Sequence, residues 1–158
     1  MLLDSVPTVL AVGLAVVAAA WGLRSRRPQV PAVCLFSGAA AGIHALVTPE
    51  HFGHDAAAGG FFLAVAGLQL AWAVQVVRSP SNTALFTWGA VVNVAVLALW
   101  ALSRTAGLPF GPEAGEVEPL GFLDVACAIY EAAVVAGCLR RCLSRRPAAR
   151  WVARPALG

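Results

Sequence analysis

The sequence is poor in charge. Only 12% of its 158 residues are Asp, Glu, Lys or Arg, and lysine is absent altogether. Soluble domains carry about a quarter charged residues. The 59% hydrophobic content and a mean hydropathy of +0.78 exclude a water-facing globule as well as a disordered chain. Four cysteines are too few for a disulfide scaffold. The chain also lacks a Walker loop, a dinucleotide fingerprint, a GxSxG elbow and an HExxH pair, so it shows no nucleotide or hydrolase engine. Strict apolar–polar alternation is missing too, which excludes a membrane barrel.

What the chain has is long apolar stretches. A hydrocarbon core of about 30 Å takes roughly 20 apolar residues to cross as a helix. Five stretches qualify, at about 6–23, 29–48, 58–77, 83–102 and 119–139. Open sheet edges have no place in lipid, so the expected fold is all-α: a five-helix integral membrane bundle forming one domain over 1–143, with a basic tail over 144–158.

The charges orient that bundle. All basic residues are arginine, and Arg24, Arg26, Arg27, Arg78, Arg140, Arg141, Arg145, Arg146, Arg150 and Arg154 follow the first, third and fifth spans. Arg104 alone maps to the other side, together with Asp4, Glu50, Asp55, Glu113, Glu116 and Glu118. The positive-inside rule then puts the N-terminus outside and the C-terminus in the cytoplasm. The first span has no basic residue before it and no convincing small-residue cleavage site after it, so it reads as a retained span. Composition rich in Ala, Arg, Gly and Pro points to a bacterial plasma membrane. The implied partners are the bilayer and its anionic lipids, with Trp151 as an interfacial anchor and no nucleic acid.

Ionisable groups inside a bilayer cost about 2.5–3.5 kcal/mol each near its centre, so each one is a functional candidate. Glu131 in the fifth span, Gln69 in the third and Asn93 in the fourth are expected near the midplane, counting 1.5 Å per residue. His44 and Asp124 are expected one to two turns below the outer surface. Asp124 and Glu131 are seven residues apart and share a helix face. The expectation is a two-level polar seam, with His44 on Asp124 above and Glu131 with Gln69 and Asn93 below. The bland alternative is interhelical glue; the sharper one is a proton or cation site opening outward.

Thr48-Pro49-Glu50 reads as a helix start, with Thr at the N-cap and Pro at the first position. His51, His54 and Asp55 would follow it. Imidazoles and carboxylates together suit a divalent transition metal. The candidate ligands are His44 and Asp124, then His51, His54 and Glu50, although their spacing follows no standard signature. A bis-histidine heme is disfavoured, because only His44 lies well inside a span.

The segment SRTAGLPFGPEAGEVEPLG at 103–121 reads as an outer loop, either an ordered lid or a mobile connector. Its expected ion pair joins Arg104 to Glu113, Glu116 or Glu118. Gly38 and Gly42 form a GxxxG, suited to internal packing or to dimerisation. Cys34, Cys127, Cys138 and Cys142 read as packing cysteines.

HALVTPEHF at 44–52, GGFFLAVAGLQLAWA at 59–73, and SRTAGLPFGP at 103–112 followed by Glu116, Glu118, Asp124 and Glu131 carry a resemblance. The chain resembles a family of small bacterial polytopic membrane proteins of uncharacterised activity. The resemblance implies the membrane architecture and no catalytic role. Three functions stay open: a non-enzymatic membrane protein whose buried His/carboxylate site takes a divalent metal or protons, a structural or accessory subunit of an oligomer or membrane complex, and a quinone-linked oxidoreductase.

Overall fold

The computed structural model describes residues 29–144. They form four helices and, among the described residues, no strand: α1 (Gln29–His54), α2 (Ala56–Arg78), α3 (Thr83–Thr105) and α4 (Phe122–Leu143). These correspond to the second to fifth expected spans, and all four are long and apolar enough to cross a membrane. The described bundle therefore has four helices where five were expected along the whole chain. The first span at 6–23, Arg24, Arg26 and Arg27, the tail at 145–158 and Trp151 lie outside the described residues.

The side-chain distribution is that of a bundle made for lipid. Leu68, Leu70, Val77, Trp88, Val91, Val94, Ile129 and Leu139 are exposed, whereas Ser37, His44, Thr48, Gln69, Asn93, Ser103 and Glu131 are buried. Water would reverse this arrangement. In hydrocarbon, apolar surface outside costs nothing and polar groups inside hold the helices together.

One helix boundary changes the register of everything around it. α1 continues through Thr48 and Pro49 to His54, so the expected start at Thr48 does not occur. Thr48 Oγ instead donates back to the His44 carbonyl at 2.7 Å, and Pro49 sits on an exposed face close to the helix end. The true junction is Asp55. Its amide donates to the His51 carbonyl at 2.8 Å, its backbone is extended, and its Oδ2 accepts the Ala58 N–H at 2.9 Å as the cap of α2. His44 consequently lies ten residues from the end of α1, about 15 Å along the axis. Glu131 lies nine residues from the start of α4, about 14 Å from the same end of the bundle. The two residues are level.

α1 packs on both α2 and α4, and α4 packs on α3; α2 and α3 meet only slightly. Two apolar clusters flank the polar centre. One joins Ala39, Ala40 and Ile43 of α1 to Cys127 and Tyr130 of α4, and the other joins Val33, Val76, Phe86, Ala90, Val134 and Cys138 across all four helices. Trp72 closes the seam between α2 and α3, its indole N–H donating to the Leu85 carbonyl at 2.7 Å. Its ring lies against Gly89, where a Cβ would come within 2.3 Å of Cζ2. Only glycine fits there.

Candidate metal centre

Glu131 stands at the centre of the interior polar group, between His44 and Gln69. It is 2% exposed. Its Oε1 lies 3.0 Å from His44 Nε2 and accepts the Gln69 amide at 2.9 Å. Gln69 Nε2 also lies 3.4 Å from Asn93 Oδ1, and Asn93 Nδ2 donates to the Gly89 carbonyl at 2.8 Å. Ser37 Oγ donates to the Gln69 carbonyl at 3.0 Å and fixes α2 against α1 at this level. The Glu131, Gln69 and Asn93 group is thus brought together across α4, α2 and α3. His44 of α1 joins that same level.

The expected pairing of His44 with Asp124 is replaced by His44 with Glu131. Asp124 is the third residue of α4 and sits at the end of the bundle, where Oδ2 accepts Arg104 Nη2 at 2.9 Å and the Gly121 N–H at 3.0 Å. The cause is the length of α1: six further helical residues carry His44 from the surface to the depth of Glu131.

Cys127 is the residue that sequence reasoning set aside. It stands four residues before Glu131, on the same face of α4, and its Sγ lies 3.5 Å from His44 Nε2 and 3.9 Å from the Ala40 carbonyl. The i, i+4 spacing of a thiol and a carboxylate was visible in the sequence. Among the described residues, His44, Cys127 and Glu131 are the one group of three such side chains whose ligand atoms all lie within 4.8 Å of one another. Both contacts of the imidazole run through Nε2. A Cys–His–Glu relay would use the two ring nitrogens for opposite tasks, one towards the nucleophile and one towards the orienting carboxylate. Three atoms converging on one point have the arrangement of a candidate ligand set.

The other candidate ligands lie elsewhere. His51 Nδ1 bonds the Val47 carbonyl at 2.9 Å, and its ring lies tilted at 44° to Phe62 with centroids 3.9 Å apart; Phe62 also contacts the His44 ring at 5.6 Å. Glu50 and His54 are exposed. At the same end of the bundle Arg104 bonds Glu118, Asp124 and Ser103 Oγ, while Glu113 and Glu116 are exposed and supply turn backbone. The segment at 106–121 is an ordered loop. The Glu118 amide donates to the Ser103 carbonyl at 3.0 Å, and Gly107, at φ 75°, packs against the backbone of Gly115 and Glu116. Gly38 and Gly42 have no atom within 4 Å of where a Cβ would stand, so the GxxxG holds no contact among the described residues.

Among the described residues, fold and site together define an all-α protein with four helices long and apolar enough to cross a membrane, around a buried His, Cys and Glu group. No protein-family model, curated protein or solved structure matches the chain.

Proposed function

We propose that this is a multi-pass membrane protein, not an enzyme, that holds a divalent metal ion in the interior of its helical bundle. The observation that carries this reading is the convergence of His44 Nε2, Cys127 Sγ and Glu131 Oε1 within 4.8 Å, at the middle of helices with apolar exteriors. A lone carboxylate at that depth is costly, and a cation shared with an imidazole offsets the cost. Arginine asymmetry favours an N-terminus outside and a cytoplasmic tail facing anionic lipids, the apolar run favours a further span at 6–23, and composition favours a bacterial plasma membrane.

The test is the metal content of the detergent-purified full chain. About one ion per chain is expected, falling to background in His44→Ala and in Glu131→Gln. A parent protein that stays metal-free after growth in supplemented medium overturns the reading.

A second reading, a subunit held to a copy of itself or to a membrane partner, is favoured by one observation: no described residue lies within 4 Å of a Cβ built at Gly38 or Gly42 in the GxxxG of α1. Cross-linking in native membranes from Cys substituted at Gly42 tests it.

A further inference from the structure

The chemistry of the donors selects the ion. Resting on the reading above, we infer that the centre takes a thiophilic, borderline divalent ion of the zinc class, with the side-chain oxygen of Gln69 as fourth donor. In this closed site the ion works as a staple between helices.

Three observations carry this. The first is spacing. A tetrahedral ion with bonds of about 2.1 Å to N and O and about 2.3 Å to S holds its N and O ligands about 3.4 Å apart and its N and S ligands about 3.6 Å apart. The structure has 3.0 Å between His44 Nε2 and Glu131 Oε1, and 3.5 Å between His44 Nε2 and Cys127 Sγ. Shifts of a few tenths of an ångström bring these two distances to the tetrahedral values, and Cys127 Sγ, within 4.8 Å of Glu131 Oε1, closes on the same ion. The second is charge. One thiolate and one carboxylate cancel a divalent ion, so the loaded centre is neutral where an uncompensated charge is most expensive. The thiol proton leaves to solvent as the ion enters. Magnesium and calcium want six to eight oxygens, which this site does not offer.

The third observation concerns Gln69 itself. The residue is 2% exposed, and its Oε1 has no hydrogen-bond partner while Nε2 faces Glu131. A buried acceptor left unpaired costs about 1–3 kcal/mol. Rotation of the amide about its last torsion exchanges Nε2 for Oε1 at the centre and gives that oxygen a cation in place of the Nε2 contacts to Glu131 and Asn93. The ligands then come from α1, α2 and α4, the three helices that the ion would tie together.

The experiment is a cobalt(II) titration of the full chain in detergent, stripped first with chelator, followed by zinc(II), manganese(II) and magnesium(II) as competitors. Expected are one cobalt per chain, a thiolate-to-cobalt charge-transfer band, displacement by zinc but not by manganese or magnesium, and a rise of several degrees in the thermal midpoint. Cys127→Ser should lose the band and bind at least tenfold more weakly, and Gln69→Leu should keep the band but bind severalfold more weakly. Should a variant fail to fold, mapping of thiol alkylation in the unaltered chain replaces it, with zinc protecting Cys127 and leaving Cys34 and Cys142 unprotected. Cobalt bound without a thiolate band, or alkylation of Cys127 indifferent to zinc, overturns the zinc-class assignment alone. No ion bound at all overturns both this inference and the metal reading beneath it.

Discussion

Two carboxylates of α4 each meet a base, at two depths, and they serve different ends. Glu131 meets His44 at the middle of the bundle, both side chains nearly inaccessible at 2% and 7%. Asp124 meets Arg104 at the helix ends, where the guanidinium is 10% and the carboxylate 36% exposed. The outer pair is a clamp: Arg104 joins the last turn of α3 to the first turn of α4 and, through Glu118, to the loop between them. Water and salt reach it, so its contribution is modest. The inner pair is out of reach of solvent, and it is held in place by a hydrogen bond from Gln69 of α2, which in turn contacts Asn93 of α3. Depth separates the solvent-reached fastener from the buried pair.

The largest expected effect breaks the inner level. Glu131→Ala removes the partner that His44 Nε2 and Gln69 Nε2 share and leaves the latter only its longer contact with Asn93, a loss of about 1–3 kcal/mol for each buried group left unsatisfied. The bundle should lose about 3 kcal/mol in detergent denaturation, with Glu131→Gln recovering much of it. Next comes Gly89→Ala, in which the new methyl meets the Trp72 ring and costs about 1–3 kcal/mol by overpacking, read as a lower thermal midpoint. Arg104→Ala should cost about 1 kcal/mol or less. Its clearer signature is faster proteolysis within 106–121, reproduced in the unaltered chain by high salt. The smallest effect sharpens the contrast most. Asp124→Asn should leave metal content unchanged, whereas an outcome equal to that of His44→Ala would return Asp124 to the centre.

Much of the architecture was legible from local quantities. The apolar runs located α2, α3 and α4 to within a few residues, and the grouping of Glu131 with Gln69 and Asn93 followed from counting depth along helices. The error began at Thr48-Pro49. A capping pattern there outweighed the helix continuing beneath it, although proline close to a helix end, on an exposed face, takes little from the ladder. That one boundary moved His44 by about two turns and assigned it to the wrong acid. Cys127 went unread because cysteine packs as a small hydrophobe, and nothing in the chain marked it as facing an imidazole.

The membrane-crossing helices are a property of the sequence alone, since length and hydrophobicity of a run decide whether a helix suits hydrocarbon, and both are read along one dimension. Which side chains meet was decided only in the folded bundle. A contact between α1 and α4 depends on where each helix begins and how far each is rotated, and a shift of a few residues in either exchanges one carboxylate for another beneath the same histidine.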